Sequence, residues 1–155
     1  DGIRDVAVIG VQTCALPISR AGRWEIRDHL GRAPGKKSFF QSVRSGGDWA
    51  HTLLEGPTDF EMRCWPRTGR THQIRAHLSE AGLPIVGDPL YESRWEGAIR
   101  RSFPGRYSAE LATARLMLHA ACLTFPHPIS KNEISVTSPI PKDFQSCKAR
   151  LLASV

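Results

Sequence analysis

The residue pattern predicts an α+β fold, a mixed, mostly antiparallel sheet with helices packed on it. Three observations carry this. Apolar stretches between Trp24 and Trp65 are separated by turns too short for crossover helices. Ile74, Leu78 and Ala81 then recur at i, i+4 and i+7, which makes one apolar helical stripe. Beyond it come two more strand-like stretches and a closing helix-like one.

Each element has its own reason. Trp24 to Leu30 is a short strand, and Gly31 to Lys37, with Pro34 and Gly35, is a loop. Ser38 to Arg44 is a second strand, followed by a Ser45-Gly-Gly-Asp48 turn. Trp49 to Leu54 is a third, Gly56-Pro57 a turn, and Phe60 to Trp65 alternates as a fourth. This spacing suggests an antiparallel meander. Thr71 to Ala81 is the helix; Thr71 can cap it, and Gly82 with Pro84 ends it. Pro84 to Tyr91 is a loop with a buried apolar pair. Glu92 to Ala114 has no clear period and is expected to be an insertion. Arg115 to Phe125 is an apolar strand that Pro126-His-Pro128 breaks. Glu133 to Thr137 is a further strand. Lys142 to Leu152 is the last helix, with Phe144, Cys147 and Leu151 on one side.

With 155 residues and 41% hydrophobic composition, one globular domain is expected. The net charge of +6 suggests a polyanionic partner. From Arg63 to Arg115 every basic residue is arginine, which suits phosphate and base contacts; lysine is confined to the flanks. Cys14, Cys64, Cys122 and Cys147 form no CxxC pair, so neither zinc nor redox motifs are supported, and reduced thiols in a cytoplasmic protein are expected. No apolar stretch approaches the roughly 18–20 residues of a membrane span.

The first eighteen residues read as non-native. Gly10-Val-Gln-Thr-Cys-Ala-Leu-Pro-Ile18 is the translation of GGA GTT CAG ACG TGT GCT CTT CCG ATC, which resembles a sequencing adapter. Asp1-Gly-Ile-Arg-Asp5 likewise reads as GAC GGC ATA CGA GAT, from the adapter's outer end. Residues 1–18 are therefore expected to be a leader outside the fold, and 19–155 the native part, cut from something longer.

The densest run of hydrogen-bond donors is Arg67-Thr-Gly-Arg-Thr-His-Gln-Ile-Arg-Ala-His-Leu78. Donors at a helix start favour anions, and guanidinium forks match phosphate oxygens in pairs. At 100° per residue, His72, Arg75 and Ser79 share a face beside the apolar stripe. That sets Arg75 at the border of the core, where a charge needs a partner. His72 and His77 are five apart, not the i, i+4 spacing of a helical zinc pair. His77 is expected at a helix face or core edge. Asp88 either fixes a turn or acts in the site, and Tyr91 either packs or meets the polyanionic partner. Trp24, Trp49, Trp65 and Trp95 are irregularly spaced and suggest no stacking platform; Trp95, near Arg94 and Arg100, is the one expected to be exposed toward the polyanionic partner.

Four stretches occur in a telling order: Arg67–Leu78, Gly82-Leu-Pro-Ile-Val-Gly-Asp-Pro-Leu-Tyr91, Leu116-Met-Leu-His-Ala120 and Phe125-Pro-His-Pro128. Together they resemble the C-terminal half of the RluA-type RNA pseudouridine synthases, from about Trp24 to Leu152. The family often has Gly where Glu92 stands here. The resemblance implies the later half of the pseudouridine synthase fold. It implies a uridine flipped from its stack, its glycosidic bond broken, and the base reattached through carbon. It implies no metal and no organic cofactor, ribosomal or transfer RNA as partner, no membrane, a monomer, and a cytoplasmic site of action.

By motif, Arg75 matches the family's arginine that pairs with a catalytic aspartate, and Leu118 touches the base. Arg67, Arg70, Thr71, His72 and Gln73 fall on RNA contacts at the mouth, and His119 shapes the pocket wall with Leu118. The family's Arg-Leu-Asp and Lys-x-Tyr motifs are absent. Asp28, Asp48, Asp59, Asp88 and Asp143 all have the wrong neighbours. The expectation is a fragment that is inactive alone. The alternatives are a non-catalytic RNA-binding module and a basic protein for small phosphorylated ligands.

Overall fold

The computed structural model describes residues 10–15, 22–36, 38–58, 60–91 and 115–153. The expected insertion, with Trp95, lies outside the described residues. Seven strands and two helices are described: β1 (Gly10–Ala15), β2 (Gly22–Arg32), β3 (Phe40–Ser42), β4 (Asp48–Thr58), β5 (Glu61–Pro66), α1 (Gln73–Glu80), β6 (Leu118–Pro126), β7 (Glu133–Thr137) and α2 (Lys142–Ala153). The strands form one sheet in the order β3-β2-β4-β5-β1-β6-β7. Every described pairing is antiparallel, so the α+β reading holds.

Two expectations are corrected. The first four strands are not a simple meander, because β2 lies between β3 and β4. Leu30 pairs with Ser42 on one side and Asp48 on the other, so residues 43–47 cross over β2. Gly47 permits the crossing: a Cβ there would lie 2.9 Å from the Leu30 carbonyl oxygen. Gly56-Pro57 is not the turn either. β4 runs through it with a shift in register, and the chain reverses where Thr58 faces Glu61. Proline lacks an N–H and so fits an irregular ladder position better than a regular one.

The stretch that reads as adapter-like provides an interior strand. β1 pairs with β5 on one side and β6 on the other, Ala15 lying opposite both Met62 and Leu118. The sequence reading excludes residues 1–18 from the fold, yet Gly10–Ala15 takes this place. The physical reason is that two neighbouring edges offer unpaired backbone groups, and any extended segment can satisfy them through its own main chain.

The core lies on one face of the sheet. Leu54, Met62 and Cys64 point to it, against Leu78 of α1, Ile85 and Val86 of the following loop, and Phe144, Cys147 and Leu151 of α2. A second cluster joins Leu30, Ala50, Phe39, Ala76 and Tyr91. α1 thus packs through both clusters, which fixes where its first turn sits.

Candidate functional site: the start of α1

The β5–α1 connection is held by one buried side chain. Gln73 Oε1 accepts from the Arg70 N–H at 3.0 Å and the Thr68 hydroxyl at 2.7 Å. Its Nε2 donates to the His51 carbonyl at 3.0 Å and to Thr52 Oγ1 at 2.9 Å. This side chain replaces the expected cap. The residue preceding the helix is His72, in a left-handed conformation (φ 55°) with no side-chain cap, and Thr71 is exposed. The far end follows the sequence closely. Leu83 N–H bonds Leu78 O at 2.8 Å and Gly82 N–H bonds Ser79 O at 3.0 Å, with Gly82 at φ 75°. That pair of bonds is the glycine-terminated Schellman end.

The network continues inward. The wholly buried His77 lies 2.8 Å from Thr52 Oγ1 through Nδ1 and 3.0 Å from Asp28 Oδ1 through Nε2. The carboxylate accepts, so Nε2 carries the proton and Nδ1 accepts from Thr52. Ser42 donates to the other oxygen of Asp28. Burial holds the His77 pKa below its ordinary value, against the pull of Asp28. His77 is therefore a core residue, not one at the helix edge.

Arg75 sits where its place on the helix predicts. Its side chain is 15% exposed and grips Asp88 with two bonds, Nε to Oδ2 at 2.8 Å and Nη2 to Oδ1 at 2.7 Å. The Asp88 side chain is wholly buried, and its Oδ1 also accepts the N–H groups of Leu90 (3.0 Å) and Tyr91 (3.1 Å). So Arg75 does hold a carboxylate bidentately, but in this chain that carboxylate is Asp88. The bond from Asp88, opposed by burial, raises the Arg75 pKa. Asp88 fixes its turn and anchors the arginine at once. Tyr91 packs rather than reaching outward: its ring stacks on Phe39 at 4.6 Å, lies 5.0 Å from the Arg75 guanidinium, and its hydroxyl bonds Phe40 N–H and O. His72 meets that hydroxyl at 3.3 Å, and burial, then the Arg75 charge, lowers its pKa.

Around Arg75 is an open hollow of about 200 Å³, lined by Thr68, Gly69, Arg70, His72, Arg75 and Leu118 among others. The structure thus brings Arg70, His72, Arg75 and Leu118 together. Gln73 reaches the wall, but all its amide positions are engaged internally. His119 is on the other face of β6 from Leu118, as strand alternation requires, and bonds the Ser138 carbonyl at 3.3 Å. Arg67 lines a different hollow beside Trp65. Sequence reasoning missed Thr68, Gln73's inward role and the Arg75–Asp88 pair. The spacing of Arg75 from a buried Gly-Asp turn was the available signal for the last.

No family model matches the chain. It is similar to ribosomal large subunit pseudouridine synthase D of Xanthomonas campestris pv. campestris, 41% identical over 105 residues, which is 66% of this chain and 28% of that protein. It is similar to ribosomal large subunit pseudouridine synthase C of Escherichia coli K12, 32% identical over 154 residues, covering 92% and 46%. RNA pseudouridine synthase 2, chloroplastic, of Oryza sativa is 41% identical over 148 residues, covering 85% and 33%. The chain spans less than half the length of these curated relatives. Among solved structures, human RNA pseudouridylate synthase domain containing 4 shares the fold, with a TM-score of 0.63 at 23% identity over 92% of this chain and 62% of that one. By sequence and by fold, the chain is related to part of the RluA-type RNA pseudouridine synthases.

Proposed function

We propose that residues 19–155 are the C-terminal portion of the catalytic domain of an RNA pseudouridine synthase, and that residues 1–18 are an adapter-like leader. The whole enzyme isomerises chosen uridines of ribosomal or transfer RNA. The observation that carries this reading is the hollow at the start of α1. It gathers an anchored guanidinium, an apolar wall residue and one exposed arginine, Arg70, steadied by its Nε bond to the Trp49 carbonyl, in a space of about 200 Å³. A flipped base needs such an apolar wall and a fixed charge beside it.

In this arrangement Arg75 is held still by Asp88. Two of its nitrogens are engaged, and Nη1 makes no hydrogen bond to any described residue. That nitrogen, with the second N–H of Nη2, is available for a second carboxylate or for the substrate. Leu118 supplies the surface against which the uracil packs. Arg70 and Thr71 are exposed at the mouth for phosphate, and Arg67 and His119 lie farther out.

Of the described aspartates, three are held in internal pairs, and Asp48, exposed at the start of β4, lacks the Arg-Leu-Asp neighbours of the family's catalytic aspartate. Asp88 is buried with both oxygens bonded, Asp28 is tied to His77 and Ser42, and Asp143 is paired with Arg115. The chain alone is therefore proposed to bind RNA without converting it, which is also what the non-catalytic alternative requires. The remaining proposals are a monomer in the cytoplasm with no cofactor. Among the described residues no helix is long and apolar enough to cross a membrane.

The test is Arg75→Lys in a version that carries the upstream reading frame. Lysine keeps the charge but loses the fork. Turnover should fall by at least tenfold while RNA affinity changes less than threefold. Equal losses in both would remove Arg75 from the reacting centre.

A further inference from the structure

The sheet face turned away from both helices carries a pattern that the sequence hides. Directly opposed residues on neighbouring strands share a face and fall into rows. Arg23, Glu55 and Arg63 form one row, and Glu25, Leu53 and Trp65 the next. Arg27 and His51 continue into Arg67, whose N–H bonds His51 O at 2.8 Å. His29 and Trp49 form a fourth row, with Trp49 44% exposed. Basic and aromatic side chains are thus interleaved across β2, β4 and β5.

The charges are not balanced on this face. Glu55 is held by Arg23 at 2.8 Å, and Glu25 by Arg27 at 3.1 Å and His51 at 2.9 Å. Arg67 makes no ion pair with any described residue. It lines a hollow of about 500 Å³ together with Leu53, Trp65, Arg23 and Glu55 among others. An aromatic ring in an open hollow next to an unneutralised guanidinium fits a nucleotide: the ring takes the base and the guanidinium takes its phosphate.

We propose that this open face binds single-stranded RNA, with one base on Trp65 and a neighbouring phosphate on Arg67. The proposal rests on the RNA reading above and adds a second subsite to it. Continuity supports it. Along the β5–α1 connection, Trp65 and Arg67 line this hollow, while Pro66, Thr68 and Gly69 line the one around Arg75. An RNA strand crossing that connection meets both. The strand must be unpaired here, because a duplex keeps its base faces stacked inside. A protein partner would need a broad apolar area, whereas the apolar lining here is a narrow strip of Trp24, Leu53, Leu54 and Trp65 between charged residues.

The experiment uses the 155-residue chain and a fluorescently labelled single-stranded oligouridine, with anisotropy followed across a salt series. Trp65→Ala should weaken binding roughly tenfold, since stacking on an aromatic side chain is worth about that much per base. Trp65→Phe should retain most of the affinity, because the ring face remains. Arg67→Gln should lower the slope of log K against log salt by about 0.7, one phosphate contact on a single strand. Parental affinity and slope in both Trp65→Ala and Arg67→Gln would overturn the subsite. If Arg70→Gln alone weakened binding, RNA would be using only the α1 hollow, so the subsite fails and the RNA reading survives. Absence of binding by the parent chain would overturn both.

Discussion

Arg75 sits at the edge of the core because helical spacing puts it beside Ile74 and Leu78, and a charge there must be satisfied. Its border position was legible in the sequence. Its partner was not, because Asp88 reaches it through a turn whose shape depends on Ile85 and Val86 being buried first. Gln73 shows the same limit. Within a basic run it reads as an RNA donor, but its four hydrogen bonds are internal. Gln73→Leu should strand the Arg70 N–H and the Thr68 hydroxyl, take one partner each from the His51 carbonyl and Thr52 Oγ1, and cost about 1–3 kcal/mol in denaturant unfolding. A change below about 0.5 kcal/mol would show that water replaces the amide.

His77 gives a pH prediction at the same scale. Burial lowers its folded pKa below the ordinary 6.5, and burial with Arg75 does the same to His72. A base with a depressed folded pKa is protonated first in the unfolded chain. The unfolded state then binds more protons, so stability falls as pH drops through about 6.5, and the loss ends once the folded pKa is passed. Nitrogen-15 spectra at pH 6.5, where an ordinary imidazole is half protonated, should show the His77 ring more neutral than that, with the neutral form's proton on Nε2. A doubly protonated ring at that pH would contradict the network.

At the scale of elements, the helices were the most legible. α2 covers the expected span, with Phe144, Cys147 and Leu151 buried, and α1 ends at Gly82 as the Gly-x-Pro pattern requires. Their periodicity depends on one face meeting one core, which sequence displays directly. Gly82→Ala forces a side chain into a left-handed conformation and should cost about 1–2 kcal/mol in thermal or denaturant unfolding. The same substitution without effect would mean that the end of α1 refolds. The start of α1 was less legible, because Thr71 reads as a cap by residue type while the turn is closed by Gln73 from inside. Strand existence was legible, but order was not. Local alternation marks β2, β4 and β5 equally well, and nothing local says that residues 43–47 must cross over β2.

At the scale of the molecule, the sheet is joined across its middle by β1. That strand comes from a segment whose codons read as an adapter. β5 and β6 would otherwise be two bare edges above a shared core. The family resemblance is carried by residues on both sides of this joint: Arg75 lies beyond β5, and Leu118 opens β6. Their meeting in one hollow is a property of the assembled sheet, which is why motif order pointed to it and local pattern did not. The outward face of β2, β4 and β5 is likewise a whole-sheet feature, since its rows exist only once the strands are in register.

The central proposal is that this chain is part of an RNA pseudouridine synthase and lacks that family's catalytic aspartate. The direct measurement is nucleoside mass spectrometry of cellular RNA incubated with the 155-residue chain and, in parallel, with the chain extended by its upstream reading frame. Pseudouridine should rise only with the extended protein. Pseudouridine from the 155-residue chain alone, or from neither protein, would contradict the account.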